Sequence, residues 1–375
     1  MVGPAVTRIG FWGANKRHAE RTSLPDFPVE SVQRRDLCDS VDGPVPHNSR
    51  TSILMGSDQP TTRPSGRVWV QVLLIGLLIW LAGIAVTEFT RDPILIPGVF
   101  LTGSFLVPFS LMLWVFGQTD WGGTAPPVGR SALGPSRLLL AFALGGAVGV
   151  WCSALLENLL MRIAAFSYYL DVAVVEESVK LTLVWLIAHR LGWYSRRDGM
   201  LLGATVGLGF AAFESAGYAF HSAALGHSDK VLAVFLTQVS RGLLMPVGHG
   251  LWTAMVAGAL FAAARNGRLR LTWNVLGWLL IAIGLHMFWD MASGFSAMFA
   301  AWASGAPVIK EQFLSGRLTD PTFREGVYYA LSLTLLLLLN AGIAVSLWVR
   351  EWRKANREQA VDSDVATSRT SGPVQ

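Results

Sequence analysis

The chain runs to 375 residues, of which 52% are hydrophobic and only 15% charged, with a mean hydropathy of +0.44. A soluble domain carries about a quarter of its residues as charges, so this composition excludes an ordinary soluble enzyme and points to a membrane protein. The net charge of +5 does not indicate a nucleic-acid binder, because the basic residues are spread over short loops and two tails.

Residues 1–66 are polar, rich in Pro, Ser and Arg, and show neither a 2- nor a 3.6-residue period. They are expected to form a disordered cytoplasmic tail. No apolar stretch comes after the early positive charges, so the pattern of a signal peptide is missing. Met55, just ahead of the first apolar run, is an alternative start. Cys38 and Cys152 have no metal-site or redox spacing, and no structural disulfide is expected.

From Trp69 onward apolar runs of about 20 residues succeed one another, each long enough to cross a hydrocarbon core. The first two, 68–88 and 94–117, lie in an N-terminal region, 67–136. Five more, at 137–162, 169–189, 199–220, 244–264 and 272–293, make a core spanning 137–293. A loop at 294–326, a last span at 327–349 and a tail at 350–375 complete the chain. The expected fold is an all-α polytopic membrane protein of about eight transmembrane helices, four of which carry the chemistry.

Basic residues orient the spans. With the N-terminus inside, the extracytoplasmic loops hold only Arg91, Lys230, Arg241, Lys310, Arg317 and Arg324, against twenty-two Lys and Arg in the cytoplasmic segments. That bias places both termini in the cytoplasm and makes 294–326 the one long extracytoplasmic loop. Two glycine patterns read blandly. Gly207-Leu-Gly209 is preceded by no strand and so is no dinucleotide motif, and Gly203 with Gly207 predicts close helix packing.

Ionisable residues inside the spans carry the function. Charges are expensive in a bilayer and face a protein interior or an aqueous cavity. Span 4 holds Glu176, Glu177 and Lys180, span 5 Glu214, span 6 His249, and span 7 His286 and Asp290. Glu176 and Lys180 share a helix face, as do His286 and Asp290. By helix rise, Glu176 and His249 lie about 8–11 Å below the outer ends of their spans. Glu214 and His286 lie about 21–23 Å above the inner ends of theirs, which is the same layer. An isolated histidine or Glu–Lys pair is as readily structural as chemical; four helices delivering such groups to one depth are not. His18, His47, His189, His221 and His227 do not join the set.

Such a set suits peptide hydrolysis, which needs a base for water and groups that stabilise an oxyanion or hold a Lewis acid. Glu214, His249, His286 and Asp290 supply ligands of the type that zinc accepts, although no HExxH motif is present. Ser178 and Ser215 lack the setting of a serine nucleophile.

The order Glu176-Glu177-x-x-Lys180, Arg197-Asp198-Gly199 leading to Gly207-Leu-Gly209-Phe210-x-x-x-Glu214, Arg241 before His249-x-x-x-Thr253, and His286-x-x-x-Asp290 resembles the PrsW family over roughly 140–293. These intramembrane proteases are distantly similar to CAAX prenyl endopeptidases. The resemblance implies a protease core at 137–293, a bacterial plasma-membrane location, and cleavage of a membrane-anchored protein such as an anti-sigma factor in envelope-stress signalling. It also implies that Glu176 is the water-activating base beside Glu177, with Glu214, His249 and His286 completing the site. Asp290 departs from the asparagine common at that position. The residues leave a zinc enzyme and a metal-free, glutamate-activated one both open. A proton- or ion-coupled transporter and a non-catalytic membrane scaffold are the competing functions.

Overall fold

In a computed structural model of the chain, residues 67–119, 131, 133–163, 168–225, 230–318 and 321–370 are described. The expected tail 1–66, with Met55, lies outside them. The described residues form helices α1 (Val68–Thr90), α2 (Ile96–Gln118), α3 (Pro135–Ala143), α4 (Gly149–Ile163), α5 (Tyr168–Ala188), α6 (Arg196–Leu225), α7 (Lys230–Leu244), α8 (His249–Ala262), α9 (Trp273–Ser304), α10 (Lys310–Ser315) and α11 (Phe323–Thr370). Their only extended pairing is a single bridge between Arg265 and Arg268. The molecule is an all-α, multi-pass membrane protein.

Among the described residues, six helical stretches are long and apolar enough to cross a bilayer: Val68–Thr90, Pro93–Gln118, Pro135–Leu160, Arg196–Ala224, Trp273–Ser304 and Phe323–Asp362. Two of the eight expected spans fall short of those criteria for chemical reasons. Helix α5 carries Asp171, Glu176, Glu177 and Lys180, and α8 has only 14 residues. These are two of the helices that carry the ionisable centre. Outward-facing Leu74, Ile75 and Leu78 on α1, and Leu331, Leu335 and Leu338 on α11, are exposed, as suits surfaces solvated by lipid tails.

Helix ends obey local chemistry. Asp92 accepts a hydrogen bond from the Ile94 amide, and Ser195 Oγ accepts one from the Asp198 amide at the start of α6. Gly305 closes α9 with a left-handed φ of 78°.

Three stretches differ from the sequence expectation. The run 244–264 is not one helix: Pro246 sits in a 3-10 turn (Met245–Val247), Gly248 is non-helical at φ −83°, ψ −102°, and α8 begins at His249. Pro246 cannot donate the backbone bond that a continuous helix needs there. The stretch 294–326, expected as a loop, is mostly helical, because α9 continues to Ser304 and α10 comes after it. The segment after 349, expected as a tail, extends α11 to Thr370, held by Arg196 to Glu351 (3.2 Å) and to Glu358 (2.9 Å).

Two packing features set the height of the centre. Gly199, Gly203 and Gly207, one turn apart on α6, let its backbone touch α8. Side chains at these positions would strike Ala257 O, Thr253 O and His249 O. This close approach brings the first residue of α8 level with Gly207, two turns from Glu214. Between α3 and α4 the chain makes one π turn, Leu144–Val148. Beside it Gly145 abuts the Val206 backbone and Gly146 abuts Phe213, so this span also lies directly on α6.

Candidate active site

Helix α5 places three charged side chains on its inward face, and all three are buried, Lys180 completely. The Lys180 ammonium donates to Glu176 Oε2 (3.1 Å) and Glu177 Oε1 (2.8 Å), and lies 2.8 Å from His249 Nδ1. Three acceptors thus match its three N–H bonds, and the Phe210 ring lies 4.0 Å beneath it. An ammonium donating to Nδ1 fixes the His249 proton on Nε2, which is 2.9 Å from Glu214 Oε2. The same Glu214 oxygen makes an ion pair with Arg241 Nη2 at 2.6 Å. A chain of polar contacts therefore runs from α5 through α8 to α6 and α7.

His286, on α9, faces the other side of the α5 carboxylates. Its Nδ1 is 3.0 Å from Glu177 Oε1, while Nε2 points between Glu176 Oε2 (3.7 Å) and Asp290 Oδ2 (3.5 Å). With Nδ1 engaged by Glu177, Nε2 is the nitrogen that faces the two other carboxylates. Trp252 stacks on this imidazole, centroids 5.2 Å apart at 30°, and His249 meets it edge-on at 5.0 Å. The two rings and the tryptophan form a rigid aromatic wall.

All seven residues singled out in the sequence, Glu176, Glu177, Lys180, Glu214, His249, His286 and Asp290, meet in this cluster. Asp290 is the most accessible, its side chain 27% exposed. The metal-ligand set expected from the sequence is Glu214, His249, His286 and Asp290. The atoms that converge are instead those of Glu176, His249 and His286, all within 4.8 Å of one another. Glu214 stands on the far side of the His249 ring, engaged with Arg241.

The converging residues fit a zinc-like ion in donor type, two imidazoles and a carboxylate. Glu177 behind His286 Nδ1 is the outer carboxylate that ligating histidines usually have. At His249 both ring nitrogens are engaged, so an ion there would have to replace the Lys180 contact.

In the sequence Arg241 reads only as a loop charge preceding a motif, yet it is the cation that holds Glu214. Its distance from Glu214 along the chain hides this, although its place three residues after Gln238 on a short helix is visible. Glu157 on α4 stands outside the sequence-derived set altogether. It lies within electrostatic range of Glu176, Glu214, His286 and Lys180. The depth arithmetic that groups the other residues would include it.

Residues 134–310 match the family described as PrsW family intramembrane metalloprotease. No curated protein and no solved structure matches the chain.

Proposed function

We propose, from the premise that over residues 134–310 the chain is a member of the PrsW family of intramembrane proteases, that it cuts a membrane-anchored protein near the extracytoplasmic end of its span. The observation that supports this most is the buried cluster of Glu176, Glu177, Lys180, Glu214, His249 and His286 gathered from four helices. Glu176 is the water-activating base. Glu177 and Lys180 fix its position, and His286, whose Nε2 faces the carboxylates, stabilises the developing oxyanion while His249 holds Lys180 and Glu214 in register.

A zinc ion held by Glu176, His249 and His286 would supply Lewis-acid polarisation and a more acidic water, and would take Glu176 from its role as free base. The chain's own residues exclude bulk water and carry protons. Glu177 orients His286, and the Glu214–Arg241 pair orients His249. Asp290, the accessible member, faces the side from which water enters. The substrate class is a single-span protein such as an anti-sigma factor in a bacterial plasma membrane, with both of the enzyme's termini cytoplasmic.

The test is co-expression with candidate single-span substrates, comparing wild type with Glu176→Gln. A new, shorter product made only by wild type is the expected result. A cut in the cytoplasmic half of the substrate's span would contradict the proposed depth.

One observation also suits a proton-coupled transporter, the broken helix at Met245–Gly248 beside an ionisable site. That reading requires proton flux in vesicles without any proteolysis.

A further inference from the structure

We propose that the inward face of α4 is a substrate-binding strip, on which Ser153 and Glu157 hold the backbone of the segment unwound for cutting. It rests on the peptidase reading of the centre and adds where the scissile segment lies.

Among the described residues, Ser153 Oγ and Glu157 Oε1 are both buried without a hydrogen-bond partner. Ser153 is 2% exposed. Leaving one such atom unsatisfied is destabilising, and here two lie four residues apart on one helix face. The preceding turn of that face shows where it points. Gly149 abuts Phe210 and Leu183, and Phe210 is the ring beneath the Lys180 ammonium. The opposite face, with Trp151, Leu155 and Leu159, is exposed as a lipid-facing surface is. Helix α4 is therefore the wall between the lipid and the centre.

The level is right as well. Glu157 lies six residues before the end of α4 and Glu176 eight after the start of α5, so the two stand about 9 and 12 Å from those helix ends. Their side chains sense each other's charge.

The ligand chemistry comes from the demands of cutting a helix in lipid. An unwound segment bares N–H and C=O groups that lipid cannot satisfy. A carboxylate oxygen accepts an N–H, and a serine hydroxyl donates to a carbonyl. Four residues of α4 rise about 6 Å, close to the roughly 6.7 Å repeat of two residues in an extended strand. The strip thus recognises backbone, not side chains. It favours substrates that unwind readily and disfavours proline at the residue whose N–H meets Glu157.

The experiment uses the full-length enzyme in proteoliposomes with a single-span reporter that wild type cleaves. Cleavage kinetics are measured for Glu157→Leu, Glu157→Gln and Ser153→Ala. Capture of the same reporter is measured in the inactive Glu176→Gln background. Glu157→Leu is expected to raise KM about tenfold or more and to cut capture by a similar factor. Glu157→Gln, which keeps an acceptor oxygen, should stay within about threefold of wild type. A proline scan of the reporter should find one position that blocks wild type but makes little further difference to Glu157→Leu. Wild-type KM and capture in Glu157→Leu would overturn the proposal. So would an equal loss of kcat in Glu157→Gln and Glu157→Leu with a shifted pH profile, which would make Glu157 a proton carrier. A wild type that neither cleaves nor captures any reporter removes the peptidase reading itself; a wild type that cleaves beside an equally active Glu157→Leu removes only the strip.

Discussion

Two of the buried polar networks among the described residues are built on opposite plans. In the first, Gln238 of α7 accepts from Trp80 Nε1 of α1 at 2.9 Å. Its own amide donates to Val99 O (3.2 Å), Phe100 O (2.5 Å) and Ser104 Oγ (3.3 Å) on α2. That knot is neutral, and its donors end on neighbouring acceptors. In the second, around Lys180, carboxylates outnumber cations, and buried polar atoms nearby (Trp252 Nε1, Thr253 Oγ1, Glu157 Oε1) have no partner among the described residues. The difference separates a clamp from a working centre. A polar cluster that only holds helices together satisfies itself, because each orphaned group costs stability in lipid. A cluster that must receive a substrate and water keeps some of its capacity free.

Breaking the comparison starts at the centre. Glu176→Gln should lower cleavage by about 10²- to 10⁴-fold, the usual worth of a positioned general base, while the protein still accumulates in membranes. His249→Ala and His286→Ala should do the same. Quantitative immunoblots beside reporter cleavage check this, and near-normal cleavage by either histidine variant would remove that residue from the site.

Metal removal comes next. With Glu176, His249 and His286 holding zinc, dialysis against a strong chelator should stop cleavage and added zinc should restore it. Full activity in a preparation shown to be zinc-free would instead favour water activated by Glu176 alone.

Lys180→Met attacks stability at the same place. It leaves Glu176 and Glu177 buried without their cation, and removing one partner of a buried ion pair costs about 3–5 kcal/mol. Loss of folded protein in a detergent thermal-shift assay is the expected outcome. The neutral clamp should behave otherwise. Gln238→Leu should cost about 1–3 kcal/mol of stability, with cleavage per folded molecule within about twofold of wild type. A large catalytic defect there would mean that α7 passes strain through Arg241 to Glu214.

Most of the centre is legible in the sequence because spacing and depth are properties of a helix. Glu176 with Lys180 and His286 with Asp290 need only the four-residue period. The alignment of four spans needs only their lengths and their alternating direction. The features that escape depend on backbone departing from a straight helix or on a partner in another element. Pro246 and Gly248 interrupt an apolar run that reads as continuous, so the sequence puts His249 inside a helix that it in fact begins. The donor atoms that converge are those of Glu176, His249 and His286, while Glu214 pairs with Arg241, which is remote in sequence. The helix beyond 349 escapes because its many Arg and Glu residues read as a tail, although they and its Ala residues are good helix formers, held by Arg196.

The π turn at Leu144–Val148 bears on how this chain tolerates insertions and deletions. A π turn holds one residue more than an α turn, so it absorbs a supernumerary residue without rotating the helix beyond it. Losing one residue from that turn, sparing Gly145 and Gly146, would let it relax to an ordinary α turn with Gly149 still against Phe210 and Ser153 and Glu157 in their present register. Losing one residue anywhere between Gly149 and Ser153 would swing Glu157 by about 100° and aim its carboxylate at the acyl chains. In one span, then, the same length change is silent at one turn and ruinous at the next, and variation in chain length among functional descendants of this sequence should gather at Leu144–Val148.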